Sequence, residues 1–466
     1  MKYSLLTPRL PASPSHLRGS GQVADLGPRH CSSGGARVAS LGMSLCLTPQ
    51  VDDLVRRLTG RTQSLFATEL TRSRSRVEAG VFGKRILMVG AAGSIGSATL
   101  MALLPFNPAA ITVIDVNENN LAELIRTLRS TEPGYTGDFN VTPLAYGSDL
   151  ARHYLALQEP FDVVLNFAAL KHVRSERDVF SLLRMLSVNL LEADHFLATL
   201  RAQGHGREGV FFVSTDKAAD PVNLMGASKR IMESLLWAHA RQDAKASLID
   251  GGRAPALLRA TTTRFANVAF SDGSLPWGFL QRLAKGQPLA GPGEIRRYFV
   301  SPSEAGQLCL LAAFRCPHHH ALVPMMSAKR DAFTFGEVAR VTLEAHGFEP
   351  HWVTSEEEAR ACVDTDRAQG RYPVLLTRGD TSGEKPMESF VGRDESITED
   401  GLHGLVAVKG EAVHTDEIAD LLSLLHDATV IRGRPVPSFD DVVTAMGRCV
   451  PELAHANTGK SLDDRM

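Results

Sequence analysis

Gly90-Ala-Ala-Gly-Ser-Ile-Gly96 decides the reading of this chain. It follows the apolar run Ile86-Leu-Met-Val89 and opens an amphipathic stretch from Ser94 to Leu104. Strand, glycine-rich turn and helix in that order is the setting in which glycines bind a dinucleotide. Gly90 permits the tight turn, Gly93 lets backbone approach a pyrophosphate, and Gly96 lets helix and strand pack closely. The helix start at Ser94 and Ile95 offers unpaired N–H groups and a partial positive charge to phosphates. A second apolar run, Ala110 to Ile114, ends in Asp115, at the distance where an acidic residue meets the adenosine ribose. A carboxylate there accepts from a ribose 2′-hydroxyl and repels a 2′-phosphate, and no arginine adjoins it, so NAD is favoured over NADP.

Outward from this segment, residues 83–265 alternate short apolar runs with helical patterns. The expected strands are 85–90, 110–115, 140–145, 161–166, 209–214 and 256–264. The expected helices include 94–104, 118–129, 176–202 and 224–243. Such alternation predicts an α/β fold of Rossmann type, a doubly wound parallel sheet covered on both faces. Ligands of these sheets bind beyond the carboxyl ends of the strands. After residue 266 glycine and proline punctuate the chain, and 266–395 reads as a smaller substrate-binding lobe, partly interleaved with the first domain. Residues 48–82 read as an N-terminal helical segment, with one helix from about Thr48 to Gly60. Residues 396–466 read as a C-terminal helical extension, with helices at 417–428 and 439–447. Residues 1–47 are rich in Ser, Gly, Pro and Arg without periodicity. They read as a disordered extension or, because Met43 precedes the first helical pattern, as a mis-assigned start.

The 466 residues suffice for two or three domains with a buried core, and the formal net charge is -2. That balance recruits neither nucleic acid nor an acidic membrane surface. No apolar run approaches the roughly 18 residues of a membrane span. The six cysteines lack C-x-x-C spacing, which suits reduced thiols in the cytoplasm. Cys316-Pro-His318-His319-His320 reads as a surface loop, because no second ligand pair lies at zinc-like spacing, and no metal is expected.

Two further segments fall at expected strand ends, and two polar residues on the helices beside them. Small residues at Ala168 and Ala169, after the fourth strand, let a dinucleotide lie against backbone. The fifth strand delivers Thr215-Asp216-Lys217, an acid and a base side by side beside the expected cofactor, a pair suited to moving protons. Lys229 follows on the next helix. Asn189, in the helix after the fourth strand, is a polar group on an apolar face, expected to bond backbone near the fifth strand.

Together, Gly90-Ala-Ala-Gly-Ser-Ile-Gly96, Glu118-Asn-Asn120, Ala168-Ala-Leu-Lys-His-Val173, Ser214-Thr-Asp-Lys217, Met225-Gly-Ala-Ser-Lys229, Arg264-Phe-Ala-Asn267 and Arg297-Tyr-Phe299 resemble the polysaccharide-biosynthesis family of UDP-N-acetylglucosamine 4,6-dehydratases. These are extended short-chain dehydrogenases. Gly383-Glu-Lys-Pro-Met-Glu388 resembles the family's Gly-Glu-Lys signature, and the likeness spans about residues 83–395. It implies an internal redox cycle on bound NAD or NADP, giving a 4-keto-6-deoxy sugar. It assigns Gly90, Gly93, Ser94, Ile95, Gly96, Asp115, Asp149, Ala168, Ala169 and Lys229 to the cofactor. It gives Lys217 the C5 proton, Asp216 the departing hydroxyl, Lys229 the nicotinamide ribose and Thr215 a bond to the sugar near C4. Lys171, His172, Asn267 and Arg297 go to the UDP-sugar, Arg297 to its diphosphate. Met225 stands where short-chain dehydrogenases carry the tyrosine of Tyr-x-x-x-Lys, as in some members of the family. Related enzymes assemble as homo-oligomers. The rival reading on this scaffold is a UDP-sugar 4-epimerase, and the other a non-catalytic NAD(P)-binding protein.

Overall fold

Residue order along β1 (Arg85–Val89) explains why the sheet is covered on both sides. Ile86 and Met88 join one apolar cluster, with Leu100 and Leu103 of the helix Ser94–Leu103 and Leu308 and Leu311 of the helix Pro302–Phe314. Leu87 and Val89 join another, with Leu182, Phe196 and Ile231 of the helices that follow the fourth and fifth strands. A strand buried on both faces reads as an unbroken apolar run, which is what Ile86-Leu-Met-Val89 is.

The structure is a computed structural model that describes residues 49–455 except 132–133, 250–258, 379–384 and 432. The extension 1–47, the start of the expected 256–264 strand, Gly383-Glu384 of the signature segment and residues 456–466 lie outside the described residues. The remaining strands are β2 (Ala110–Asp115), β3 (Asp138–Pro143), β4 (Val163–Asn166), β5 (Gly209–Val213), β6 (Ala260–Thr263), β7 (Asn267–Val268), β8 (Leu289–Pro292), β9 (Arg296–Val300), β10 (His320–Pro324), β11 (Ala332–Thr334), β12 (Glu349–Val353), β13 (Arg371–Thr377), β14 (Ile397–Thr398) and β15 (Leu405–Lys409). The main sheet runs β14-β15-β10-β6-β5-β4-β1-β2-β3. It is parallel from β10 to β3, with β15 and β14 added antiparallel at the edge. This is the Rossmann-type sheet expected. Its strand order reverses between β1 and β4, where a crevice opens at the carboxyl ends.

Two three-stranded sheets, β11-β9-β7 and β12-β13-β8, are built from residues after 266. β7 begins at Asn267, directly after β6, so the second body of structure starts at the rim of the crevice.

Several boundaries differ from expectation for local reasons. The 176–202 helix is three pieces: a helix Val179–Leu186, a π-helical turn Ser187–Leu191 and a helix Glu192–Gln203. Asp178 caps the first piece by accepting from Ser181 N–H at 2.9 Å, which fixes its start. Residues 396–466 are not helical throughout. Ile397–Thr398 and Leu405–Lys409 are strands of the main sheet, the latter paired with β10 on one side and with Ile397–Thr398 on the other. The helices Thr415–Thr429 and Phe439–Cys449 match the expected pair. Their Ile418, Leu421, Leu425, Val442 and Met446 join the cluster containing Leu235 and Leu236 of the helix Leu224–Ile249. Cys316 is buried, not on a surface loop, and His320 opens β10 and bonds the Thr398 hydroxyl at 2.9 Å. Among the described residues no helix is long and apolar enough to cross a membrane.

Candidate functional site

A cleft of about 590 Å³ lies at the carboxyl ends of the central strands. Gly90, Gly93, Ser94, Ile95, Gly96, Asp115, Ala168 and Ala169 line it on one side. Lys171, His172, Thr215, Asp216, Lys217, Met225, Lys229 and Asn267 line the rest. Two expected residues do not. Asp149 sits in the first turn of the helix Asp149–Ala156, with its exposed carboxylate 3.0 Å from Arg152. Arg297 is buried in β9 below the cleft. Its Nη1 donates to the carbonyls of Arg296 and Lys385 at 3.0 and 2.9 Å.

The glycine turn is shaped for close approach. Gly90 has φ +69°, and a Cβ there would stand 2.6 Å from Ala168 N. A side chain at this point would collide with the backbone that follows β4. Asp115 closes the turn: its carboxylate accepts from Ala92 N–H at 3.1 Å and Asn117 N–H at 2.9 Å. Burial raises its proton affinity while these backbone bonds oppose the rise.

Across the cleft, Thr215 caps a single 3₁₀ turn formed by Asp216–Ala218. That turn presents Asp216 and Lys217 inward at the end of β5. Lys217 Nζ lies 3.1 Å from Asp216 Oδ1 and 3.4 Å from Glu388 Oε1. The Thr215 hydroxyl donates to the same Asp216 Oδ1 at 2.9 Å. Burial alone would drive the proton from Lys217, but Asp216 and then Glu388 outweigh it, with Arg297 opposing them. The ammonium is therefore held above the ordinary lysine value. A base at C5 would need the reverse. Nothing local marks Glu388 as the partner of Lys217, since it lies far along the chain. The second oxygens of Asp216 and Glu388 are buried with no hydrogen-bond partner among the described residues, as is Asn267 Nδ2.

Lys229 behaves oppositely. Burial lowers it to about 8, with Glu233 pulling the other way, and its Nζ donates to Val213 O at 3.1 Å. Asn189, set by the π-helical turn, accepts from Leu170 N–H and donates to Leu170 O, both at 2.9 Å, and to Ser228 Oγ at 3.1 Å. Its partners are thus the segment after β4 and the helix after β5, not β5 itself. A π turn at such a place is a common mark of a functional site, because the extra residue re-aims a side chain. Met225 N–H donates to Glu176 Oε1 at 3.0 Å, and burial raises that carboxyl to about 6. Above the cleft, the 271–274 loop reaches over the glycine turn: Asp272 N–H donates to Ser94 Oγ at 3.2 Å, and Lys171 Nζ donates to Asp272 O at 3.0 Å.

Behind this site Arg264, 1% exposed, is clamped between Glu233 and Glu395. The sequence showed Arg264 only as part of a motif. Its role appears once the 390–395 segment is seen to fold back against β6.

Similar proteins agree with this architecture. An uncharacterized membrane protein of Methanocaldococcus jannaschii is 32% identical over 57% of this chain and 74% of its own length. The capsular polysaccharide biosynthesis protein CapD of Staphylococcus aureus is 29% identical over 49% of this chain, which spans only 36% of CapD. A UDP-glucose 4-epimerase of Rickettsia massiliae is 28% identical over 62% of this chain and 83% of its own. Among solved structures, Pen from Bacillus thuringiensis shares the fold at 19% identity and a TM-score of 0.54, over 71% of this chain and 88% of that one. The family model described as polysaccharide biosynthesis protein matches residues 86–409, the greater part of the chain, and the chain belongs to that family.

Proposed function

We propose that this chain is a nucleotide-sugar 4,6-dehydratase that converts UDP-N-acetylglucosamine, or a close UDP-sugar, to its 4-keto-6-deoxy product. The observation that carries the reading is the pairing of buried Asp216 with half-buried Lys217 in the same cleft as the glycine turn. The cradle fits a dinucleotide: the Gly90 floor excludes a side chain, and Asp115 waits where a ribose hydroxyl would donate, which favours NAD. Bound NAD supplies the hydride acceptor for C4 and the donor for C6.

The protein's own groups handle the protons. Asp216 takes the C4 hydroxyl proton, the task that tyrosine performs in other short-chain dehydrogenases and that Met225 cannot perform. It then passes that proton to the departing C6 hydroxyl. Lys217 removes the C5 proton and later returns one to C5. Lys229 holds the nicotinamide ribose, and Asn267 Nδ2 offers an unused donor to the substrate. Two protonations and one elimination then balance without an external acid.

The epimerase relative from Rickettsia motivates a second reading, interchange at C4 alone. The Asp216–Lys217 pair counts against it, because epimerisation at C4 needs no acid and base at C5 and C6. Incubation with a panel of UDP-sugars, followed by mass spectrometry and NMR, separates the two: dehydration removes one water, epimerisation leaves the mass unchanged. Lys217→Ala is expected to abolish dehydration and keep NAD binding. Normal turnover in that variant would reject the assignment.

A further inference from the structure

Glu388 sits 171 positions beyond Lys217 in the chain, yet it is the second carboxylate on the Lys217 ammonium. It is 6% exposed, at the end of the segment Lys385-Pro-Met-Glu388. Lys385 anchors that segment by donating to Ala219 O at 2.8 Å, one residue past the Asp216–Ala218 turn. Residues 385–388 and the acid–base turn are thus one assembly. Glu388 Oε1 faces Lys217 at 3.4 Å, while buried Oε2 has no hydrogen-bond partner among the described residues. The charged groups around it are Lys217 and Lys385, with Asp216 and Arg297 acting on Lys217 and Asp220 on Lys385.

We propose that Glu388 is the proton store for Lys217: it takes the Nζ proton before C5 is deprotonated and gives it back after C5 is reprotonated. The inference rests on the dehydratase reading above and deepens it. The proton count calls for a second acceptor beside Lys217, and a carboxylate facing it can serve. Lys217 starts as an ammonium held between Asp216 and Glu388, and an ammonium removes no proton. When C5 must be deprotonated, Asp216 already carries the proton from the C4 hydroxyl, destined for the C6 oxygen. Asp216 is therefore occupied, and among the described residues Glu388 is the other carboxylate within reach of Nζ. The steps close. The Nζ–H bond breaks and an O–H bond forms on Glu388. The freed Nζ lone pair takes the C5 proton, and the C5–H electron pair becomes the C5–C6 double bond as the C6–O bond breaks. Asp216 protonates the departing oxygen, and water leaves. After hydride reaches C6, Lys217 protonates C5 and regains its own proton from Glu388. Lys217 and Glu388 end as they began, and Asp216 has moved one proton from the C4 oxygen to water. Glu388 touches no reacting carbon; it acts through Lys217.

The test uses the full-length protein with NAD and UDP-N-acetylglucosamine, comparing wild type with Glu388→Gln and Glu388→Asp. In Glu388→Gln the Lys217 proton has to leave to solvent. The expected result is a kcat about 10²-fold lower near neutrality, a KM little changed, and a kcat that climbs with pH where wild type is level. Glu388→Asp restores much of the rate and the level profile. A Glu388→Gln variant as active as wild type overturns the proposal. So does a loss equal at every pH, which is what a packing role alone would give. An activity-independent readout guards the inference: the pH midpoint for acylation of Lys217, followed by peptide mass spectrometry. Removing a facing carboxylate moves that midpoint to lower pH, and an unmoved midpoint overturns the pairing. If wild type gives no dehydrated product while the midpoint moves, the dehydratase reading falls and the Lys217–Glu388 proton pairing stands.

Discussion

Arg264→Met tests what holds the ends of β5 and β6 in place. The Arg264 guanidinium donates from Nε to Glu233 Oε1 at 2.9 Å and from Nη2 to Glu233 Oε2 at 2.6 Å. It reaches Glu395 Oε2 at 2.5 Å and Oε1 at 2.7 Å, and Phe390 O at 3.2 Å. Glu233 also accepts the Ser214 hydroxyl at 2.5 Å, directly before the Thr215 cap. Methionine fills much of the volume and leaves two buried carboxylates without their main counter-charge. Breaking a buried pair from one side costs ~3–5 kcal/mol. The carboxylate side gives a similar figure. Burial alone would raise Glu395, but the hydrogen bonds and charge of Arg264, then Arg230, bring it from 4.5 down to about 2. A fall of that size is worth about 3 kcal/mol. A depressed carboxylate stabilises fully above its unfolded value and loses that contribution as pH falls through its folded one. The penalty of Arg264→Met is thus complete at pH 7 and shrinks as pH drops from 4.5 toward about 2. Denaturant midpoints read it, in wild-type and Glu395→Gln backgrounds. The reasoning is refuted by a loss under about 1 kcal/mol at pH 7, or by a loss just as large when Glu395 is already glutamine.

Two further substitutions separate stability from function. Burial lowers Lys229 to about 8, below the unfolded 10.5, so its charge opposes folding at neutral pH and the cost fades as pH rises from about 8 toward 10.5. Lys229→Met is expected to stabilise the ligand-free protein by at most about 3 kcal/mol at pH 7, less near pH 10, while weakening NAD binding; melting at the two pH values and a cofactor titration check both halves. A Cβ on Gly226 would lie 2.3 Å from Lys217 O, which is backbone and gives way only by moving the acid–base turn. Gly226→Ala should lower kcat by about 10²-fold with NAD still bound, and an unchanged kcat would show that the turn tolerates the shift.

The glycine turn, β2 and Asp115 were legible because each is a local signal: an apolar run, a turn residue, a carboxylate at fixed spacing. The Asp216–Lys217 turn was legible as well, since β5 announces itself and the pair follows at once. Three things were not. The break at Ser187–Leu191 carries no local mark, because the partners of Asn189 within it, Leu170 and Ser228, lie elsewhere in the chain. Arg297 looks like any phosphate-binding arginine until β9 and the 385–388 segment are placed, when its Nη1 proves bonded to two carbonyls. β15 escaped notice because Leu405–Lys409 gains its strand character from pairing with β10, a contact across more than eighty residues. In each case the missing information was a long-range contact, which periodicity does not encode.

The charges around the cleft form two linked sets, and their linkage explains why two lysines of one site hold protons so differently. Lys217 faces two carboxylates, Asp216 and Glu388, and both act on it. Among the described residues Lys229 has only Glu233 to oppose its burial, and Glu233 already spends both oxygens on Arg264 and one on Ser214. A carboxylate paired with a guanidinium projects a much weaker field, so burial prevails at Lys229 while the carboxylates prevail at Lys217. The two stability predictions are therefore coupled. Removing the Arg264 charge frees Glu233, strengthens its pull on Lys229 and reduces what Lys229→Met can gain. The double variant should lose more of that gain than the separate effects predict, whereas strict additivity would mean that Glu233 does not connect the arginine to the cofactor lysine.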